Sequence, residues 1–533
     1  MSRSLTTIAR TAARNNYYVR PAVNCVFGVR WNSTESNDGG HKWSTPLAKQ
    51  LAEAITTTGP IPVASFMRQC LTSDLGGYYT PTNLSDHDQF GAKGDFVTSP
   101  EISQIFGELI GVWFVAEWIA QGRKSDGVYL MEVGPGRGTL MDDMLRTIRN
   151  FQPLAQAIEA VYLVEASENL RQAQHRLLCG DHPLVKNEIG YESKSRHNDD
   201  LKIVWTEDVR FVPRKADKTP FIVAHEFFDA LPIHIFQAAT PPPGEDVTIQ
   251  TPTGPIRPER RLPKQNFWKE MQITPKPPHR LKEGEPEFEL SLSKSATPHS
   301  MYLPEISPRY TALKDTDGAV IEVSPESQSY VRDFAIRLGG SDPNAAIQPR
   351  KVSASGKVVA SGSSEEPLHK ETPSGAALII DYGPPGNIPT NSLRGIRAHK
   401  IVSPFEAAGA VDLSADVDFL ALAEAAINGS PGVEVHGPVD QARFLTAMGI
   451  EERAAQLVKR AVDKERGGGS GSKDKKELTE IVKRVESGWK RLVDRSPQGM
   501  GRLYQVMALL PYHASRQGQP PRRPVGFGGD VTI

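Results

Sequence analysis

Three glycines at alternating positions, Gly134, Gly136 and Gly138, form the stretch that most clearly indicates a ligand-binding site. They follow the apolar run 128–133, which has the length of a strand, and precede a stretch with helical periodicity. Such a turn brings a polar ligand close to backbone N–H groups, because glycine lacks a Cβ and accepts positive φ. The spacing G-x-G-x-G departs from the dinucleotide pattern G-x-G-x-x-G, and Pro135 removes one donor. An ordinary structural turn is the alternative for this loop taken alone.

Acidic residues follow the next two predicted strands. Glu165 ends the apolar run 160–164, one strand–helix–strand unit after the glycines. In a parallel α/β sheet this position lies beside the first loop, where a carboxylate can accept both ribose hydroxyls of a nucleoside. A solvated strand-end acid is the alternative for Glu165, but the glycine loop one unit earlier favours a ligand. Asp208 ends a weaker strand and is a candidate for an adenine amino group, although a plain loop acid explains it equally well.

A third group of reactive side chains follows the apolar run 220–224, namely His225, Glu226 and Asp229. Ligands in open α/β sheets bind at the carboxyl ends of the strands, so these side chains are candidates for a site. Support of the turn through hydrogen bonds is the alternative. This alternative applies above all to Asp229, since Asp readily accepts from nearby backbone donors.

A helix start precedes the glycine loop. Thr98 and Glu101 have the spacing of a capping box, and the apolar residues that follow recur at helical spacing. The aromatic residues in that helix are therefore predicted to lie in the core. Gly94 and Asp95 lie before the helix and are not explained by it, which makes them candidates for ligand contact.

Composition excludes several classes of protein. The chain has 533 residues with 62 basic and 63 acidic side chains, so no overall basic field predicts nucleic acid as a partner. Its three cysteines, Cys25, Cys70 and Cys179, are far apart and show no metal-ligand spacing, so no metal is predicted. Glu108 and Glu117 interrupt the most apolar helix, so no transmembrane segment is predicted.

The chain divides into segments of different composition. Residues 1–34 contain five arginines and no acid, which is typical of a mitochondrial transit peptide, with a disordered basic tail as the alternative. Residues 43–127 are predicted to form an N-terminal helical segment, 128–238 the cofactor-binding half of the core, and 239–318 a Pro-rich insertion with short strands. A core strand and helix at 319–338 and a disordered loop at 339–375 are predicted to follow. The C-terminal part of the core, 376–511, is predicted to contain a helical insertion and a linker at 464–476, and 512–533 to form a tail.

The strands and strand-end acids together predict a nucleoside cofactor held over a parallel sheet with helices on both faces. A nicotinamide dinucleotide would need the longer glycine pattern, which the loop does not supply. S-adenosylmethionine has no pyrophosphate; it needs a close turn, an acid for its ribose and a polar edge for its adenine. The residues fit this second cofactor better.

Several motifs in this order resemble the MidA family of mitochondrial arginine methyltransferases, which assist assembly of respiratory complex I. The motifs occupy residues 94–103, 132–140, 225–232, 381–383, 394–400 and 412–419. The resemblance covers roughly residues 46–511 apart from the insertions. It implies an α/β fold with a seven-stranded, Rossmann-like S-adenosylmethionine-dependent methyltransferase sheet. It also implies symmetric dimethylation of an arginine in a core complex I subunit near the quinone site, in the mitochondrial matrix.

Two further functions stay open beside this one, a non-catalytic assembly chaperone that retains the fold and a dehydrogenase. The residues that we expect at the cofactor are Gly94, Asp95, Glu132, Gly134, Gly136, Gly138, Glu165 and Asp208. Methyl transfer from a sulfonium is an in-line displacement, and the planar fork of a protonated arginine suits carboxylates. We therefore expect Glu226, and after it Asp229, to be the catalytic residues that orient the guanidinium, with Glu101 and Asp95 closing over the same cleft.

Overall fold

The computed structural model of the protein describes residues 43–80, 94–240, 249–251, 254–256, 266–282, 284–342, 367–467, 472–512 and 522–528. The predicted transit peptide, much of the predicted loop at 339–375 and most of the predicted tail lie outside the described residues.

The elements are numbered here in chain order. The helices are α1 (Pro46–Thr58), α2 (Val63–Thr72), α3 (Ser99–Ile102), α4 (Gln104–Ala120), α5 (Thr139–Ile148), α6 (Gln152–Ala157), α7 (Glu168–Cys179), α8 (Pro298–Tyr302), α9 (Pro308–Thr311), α10 (Pro325–Gly339), α11 (Phe419–Gly429), α12 (Gln441–Ala447), α13 (Ile450–Gly467), α14 (Ser472–Leu492) and α15 (Met500–Leu503). The strands are β1 (Ile61–Pro62), β2 (Val128–Val133), β3 (Ile158–Val164), β4 (Val185–Lys186), β5 (Tyr191–Ser195), β6 (Asn198–Thr206), β7 (Thr219–His225), β8 (His234–Ala239), β9 (Ile249–Thr251), β10 (Gly254–Ile256), β11 (Phe267–Pro275), β12 (Phe288–Leu292), β13 (Val320–Val323), β14 (Ala376–Tyr382), β15 (Arg394–Arg397), β16 (Lys400–Val402), β17 (Asp412–Ser414), β18 (Val433–Asp440) and β19 (Tyr504–Pro511).

The main sheet has the strand order β18-β19-β14-β7-β2-β3-β6-β5-β4. The five strands from β14 to β6 are parallel, whereas β19, β18, β5 and β4 join as antiparallel partners. The predicted α/β methyltransferase fold is confirmed. The sheet has nine strands rather than seven, because the short β4 and β5 extend its edge beyond β6.

Strand order in the sheet also locates the site. The chain passes from β2 to β3 on one side and later returns to β7 on the other side of β2. The connections that leave β2 and β7 therefore diverge, which opens a crevice at the carboxyl ends of these strands, where α/β sheets bind ligands. The glycine loop follows β2 and the acidic turn follows β7, so both are brought to this crevice.

The sheet is buried on both faces, and β2 shows how its sequence achieves this. Val128 and Leu130 point to the core layer that contains α4 and α5, whereas Tyr129 and Met131 point to the layer that contains α10 and α11. Both positions of the alternation are apolar, as a central parallel strand requires. The predicted strands at 128–133, 160–165 and 220–224 are confirmed as β2, β3 and β7.

A second, five-stranded sheet has the order β1-β11-β8-β13, with β12 paired to β11. The predicted core strand at 320–323 is β13, which pairs with β8 here and not with the main sheet. The assignment of this strand to the core sheet was wrong. A four-residue apolar run is compatible with either sheet, and the sheet that it joins depends on a partner strand distant in the sequence. α1 and α2 contribute apolar residues to the same core as this sheet, which fixes the N-terminal segment beside the crevice.

Two helical predictions differ in detail from the structure. The capping box at Thr98 and Glu101 is present, but the helix that it begins ends at Ile102, and a second helix begins after Ser103. The predicted linker at 464–476 is narrower than expected, since α13 continues to Gly467 and α14 begins at Ser472. Among the described residues, no helix is both long enough and apolar enough to cross a membrane.

Candidate active site

A cavity of about 280 Å³ opens at the carboxyl ends of β2, β3 and β7. The glycine loop, the ends of β3 and β7 and the segment before α4 all contribute to its wall. Among the lining residues, five carry carboxylates and one carries a guanidinium: Glu101, Glu132, Glu165, Glu207, Glu226 and Arg137. This cluster of carboxyl groups favours a cationic ligand, because a bound cation stabilises their charged form.

The glycine loop takes a conformation that favours glycine at each of its three positions. Gly134, Gly136 and Gly138 have φ angles of 64°, 53° and 85°, in the left-handed region that other residues rarely adopt. A Cβ on Gly134 would lie 2.6 Å from Cδ2 of Phe227. Gly138 serves as the N-cap of α5. The predicted role of these glycines in shaping a close turn therefore agrees with the backbone.

Glu165 is held at the cavity wall by two hydrogen bonds. Its Oε1 accepts from the backbone N–H of Ser167 at 2.8 Å, and its Oε2 accepts from Nε2 of Gln174 at 3.0 Å. The same amide nitrogen of Gln174 donates to the carbonyl oxygen of Gly136 at 2.7 Å. The carboxylate is thereby tied to the glycine loop, while burial raises its pKa to about 7.

Glu132 lies beneath the loop with an unsatisfied oxygen. Its Oε2 is buried and has no hydrogen-bond partner among the described residues. Burial, and next the charge of Glu165, raise the pKa of Glu132 to about 8. A buried acceptor without a partner is costly, so a ligand that donates to it stabilises the site. The ammonium group and the ribose hydroxyls of S-adenosylmethionine are donors of this kind, so Glu132 and Glu165 fit that cofactor.

Four of the expected cofactor residues, Gly94, Asp95, Gly138 and Asp208, are absent from the cavity wall. Asp208 caps a short 3₁₀ helix and accepts from the backbone N–H and side chain of Arg210, whereas its neighbour Glu207 lines the cavity. Asp95 is buried, and its carboxylate accepts from the hydroxyl of Tyr78 and the backbone N–H of Ala398. Gly94 is likewise absent from the lining. The sequence could not show which of the adjacent acids Glu207 and Asp208 faces the cavity, because the direction of a side chain after the end of a strand depends on the conformation of the loop.

Glu226 lines the same cavity as the glycine loop and has an unusual backbone. Its φ of 50° places a non-glycine residue in the left-handed region, where strain of about 1–3 kcal/mol is typical of functional sites. Its Oε1 accepts from the backbone N–H of Ser99 at 3.4 Å, and Tyr504 donates its hydroxyl hydrogen to the same carboxylate. Burial, followed by the charge of Asp229, raises the pKa of Glu226 to about 8.

Other buried groups support the turn that carries Glu226. Asp381, at the end of β14, accepts from the backbone N–H groups of Phe227 and Phe228 at 3.1 and 2.8 Å. Asp229 lies behind the cavity wall, where its Oδ2 accepts from the hydroxyl of Ser414 at 3.0 Å. The expected catalytic role of Asp229 is therefore not supported. Its position is structural, in line with the readiness of Asp to accept in turns.

His225 packs between aromatic rings directly before Glu226. Its ring centroid lies 5.0 Å from that of Phe106, and the ring is parallel to that of Tyr504. Burial lowers its pKa to about 3, so the imidazole is neutral at physiological pH. It therefore contributes no positive charge to Glu226, although its Nε2 lies 3.3 Å from Oε1 of that residue.

Sequence reasoning assigned no role to Tyr382, although it lies in the motif 381–383, or to Tyr504, and both tyrosines lie near Glu226. The hydroxyls of Tyr504 and Tyr382 are 2.5 Å apart, and their ring centroids lie at 4.0 Å. The Tyr504 hydroxyl can donate to Tyr382 or to Glu226, but not to both, because a phenol has one hydrogen. When Tyr504 donates to Glu226, Tyr382 donates to Tyr504. Tyr504 belongs to the antiparallel strand β19, far along the chain, and no local pattern marks it. The conversion of Tyr504 to Phe removes the hydrogen bond that lowers the pKa of Glu226.

We expect the variant Tyr504→Phe to move the acidic limb of the kcat/KM profile to higher pH. The carboxylate form of Glu226 gains stability from the tyrosine hydroxyl, so its loss raises the pKa above about 8. The profile should be measured beside that of Tyr191→Phe, a matched change on β5 at a residue that does not line the cavity. A lower plateau with an unmoved limb would show that Tyr504 acts only in packing.

Comparisons with known proteins come from sequence and from structure. Residues 109–439 match the family described as "Putative S-adenosyl-L-methionine-dependent methyltransferase". The chain is 32% identical to the mitochondrial protein arginine methyltransferase NDUFAF7 of Rattus norvegicus, over 89% of the chain and 87% of the relative. It is 30% identical to the human protein of the same name, over 94% and 92%.

The fold of this chain is similar to that of a protein of known structure. A protein from Burkholderia thailandensis, solved with S-adenosyl-homocysteine bound, superposes with a TM-score of 0.56. The superposition covers 88% of this chain and 92% of that chain at 20% identity. At this identity the likeness concerns the fold alone.

Proposed function

Because the chain belongs to the family of S-adenosyl-L-methionine-dependent methyltransferases, we propose that it is a mitochondrial protein arginine methyltransferase. The observation that carries this proposal is Glu226, a carboxylate whose side chain is only 9% exposed and which lines the same cavity as Glu165 and the glycine loop. A guanidinium bound there would lie next to a cofactor seated on the loop. The names of the mammalian relatives support arginine as the methylated residue and the mitochondrion as the compartment.

The residues of the cavity divide between cofactor and substrate. Glu132 and Glu165 would hold the polar groups of S-adenosylmethionine, which supplies a methyl group on a positively charged sulfur. Glu226 would bind the guanidinium so that one nitrogen faces that methyl carbon. Its negative charge attracts the cation and orients the planar fork.

The proton balance of the transfer also involves Glu226. A nitrogen–carbon bond forms while the sulfur–carbon bond breaks, and the sulfur keeps the electron pair. The methylated guanidinium then carries one proton more than it can retain at neutral pH, and the Glu226 carboxylate accepts it. A carboxyl with a pKa of about 8 is well matched to this step, because a base works best when its pKa is near the operating pH.

The finer proposal follows from the resemblance to the MidA family. We propose that the product is symmetric dimethylarginine in a core complex I subunit near the quinone site, formed in the mitochondrial matrix, and that complex I assembly requires this protein. The predicted transit peptide at 1–34 supports import, and the acidic cavity supports a cationic side chain as substrate.

The decisive experiment incubates the protein with labelled S-adenosylmethionine and the unmethylated complex I subunits. We expect label in one subunit, and mass spectrometry should locate it on an arginine as symmetric dimethylation. The same mass spectrometry on mitochondria with and without the protein tests substrate and product together. Binding of a subunit without label transfer would instead indicate a non-catalytic assembly chaperone.

A further inference from the structure

The cavity extends beyond the residues assigned to the cofactor. Its other walls come from the end of α2, from the segment between α2 and α3 and from the turn after β7. Apolar side chains predominate there: Leu71, Tyr79, Phe96, Ala230 and Leu231. Glu226 directly follows β7 and lines the same cavity as these apolar residues.

A ligand for this half of the cavity must satisfy both its apolar walls and its charge. Glu226 and Glu101 line the cavity, yet the cofactor assignment uses neither. Burial raises the pKa of Glu226, so a permanent cation beside the carboxylate stabilises its charged form. The complementary ligand is an aliphatic chain that ends in a cation.

We propose that this half of the cavity is a channel for the side chain of the substrate arginine. Tyr79 and Phe96 contact its methylene groups, and Glu226 binds its guanidinium at the end nearest the cofactor. The inference rests on the proposed arginine methyltransferase function and deepens it. It assigns substrate recognition to the N-terminal helical segment, which contributes none of the strands of the main sheet.

Hydrogen bonds behind the walls hold the channel open. The hydroxyl of Tyr79 donates to the buried carboxylate of Asp412 at 3.0 Å, and its backbone N–H donates to the carbonyl of Leu71 at 2.9 Å. These bonds fix both the ring and the backbone of Tyr79. The aromatic face is therefore preorganised, so less conformational entropy is lost when the substrate side chain enters.

Asp95 anchors the second wall. Its Oδ2 accepts from the hydroxyl of Tyr78 at 2.8 Å, and its Oδ1 accepts from the backbone N–H of Ala398 at 2.8 Å. Its carbonyl oxygen accepts from the backbone N–H of His399 at 2.9 Å. Phe96 follows directly in the chain, so these bonds hold the backbone that leads into Phe96. Asp95 is thus a positioning residue for the channel and not a cofactor ligand.

The test replaces Phe96 by alanine. We expect KM for an arginine peptide to rise about tenfold, since apolar contacts of one or a few carbons change specificity by roughly 10–200-fold. The dissociation constant for S-adenosylmethionine, measured by calorimetry, should be unchanged. The matched control is Phe151→Ala, which removes a half-exposed ring before α6.

Alkylguanidines probe the channel without turnover. For the wild-type protein, inhibition should strengthen from methylguanidine to butylguanidine as the chain fills the channel, and Phe96→Ala should flatten this series. Phe96→Gln keeps most of the volume but replaces the apolar face, so it should act in the same direction if the alanine variant does not fold.

The outcomes separate this inference from the function on which it rests. Methyl transfer to arginine with an unchanged KM in both Phe96 variants would overturn the channel and leave the function intact. If the wild-type protein transfers no methyl group to any arginine, the proposed function itself is wrong, and the guanidine series then has no basis either.

Discussion

The variant Glu226→Gln should lose methyl transfer while it retains S-adenosylmethionine. Glutamine keeps the size of the side chain but removes the charge that binds the guanidinium and the base that accepts its proton. We expect kcat to fall by roughly 10²–10⁴-fold, the range for loss of a general base. The dissociation constant of the cofactor should change little, because the cofactor is assigned to Glu132, Glu165 and the glycine loop and not to Glu226. Single-turnover transfer and calorimetry measure the two quantities separately.

A second Glu→Gln change serves as the control for this result. Glu188 is exposed in the turn between β4 and β5, at the far edge of the sheet, and Glu188→Gln should behave as the wild type. Near-normal transfer by Glu226→Gln would remove Glu226 from the mechanism and would leave Glu101 as the acid to examine. Loss of cofactor binding together with transfer would mean that Glu226 belongs to the cofactor site instead.

The variant Gly134→Ala should lose cofactor binding. Its φ of 64° is unfavourable for alanine, and the added Cβ would lie 2.6 Å from the ring of Phe227. Relief of this clash would displace either the glycine loop or the turn that carries Glu226. With strain of about 1–3 kcal/mol at such a position, the dissociation constant for S-adenosylmethionine should rise by roughly tenfold to a hundredfold. Calorimetry measures this change.

Gly180 provides a matched control for the backbone conformation. Its φ is 60°, close to that of Gly134, but a Cβ there would meet no atom within 4 Å. Gly180→Ala therefore also places alanine at a positive φ but without the clash, and its cofactor affinity should stay normal. Equal affinity for wild type and Gly134→Ala would contradict the assignment of this loop to the cofactor.

The sequence predicted the parts of the site that depend on local patterns. A glycine turn between a buried strand and a helix can be recognised from spacing alone, and all three glycines have the positive φ that this reasoning requires. Glu165 was predicted because strand–helix–strand units return the chain to the same edge of the sheet. Glu226 was predicted from its place at the end of β7.

Most of the parts that were missed depend on contacts that are distant in the sequence; Asp208 is the exception, because its partner Arg210 is two positions away. Tyr504 reaches Glu226 because β19 pairs with β14, an antiparallel pairing that no nearby residue encodes. Asp95 was expected at the cofactor, but its carboxylate is taken up by a loop some 300 positions further along the chain. Asp229 and Asp208 accept from neighbouring groups in the folded chain. The sequence alone does not distinguish a carboxylate that accepts a hydrogen bond within the protein from a carboxylate that faces a ligand.

The raised pKa values of the cavity acids have a consequence for the stability of the protein. Glu132 and Glu226 have pKa values of about 8 in the folded chain, against an ordinary value of 4.5. The folded state therefore binds protons that the unfolded state has already lost at neutral pH, so the stability of the ligand-free fold declines as pH rises from about 4.5 to about 8. A bound cation offsets the same charges. Bound cofactor and substrate should therefore stabilise the folded protein at pH 8, as protonation of the two acids stabilises the ligand-free protein at lower pH.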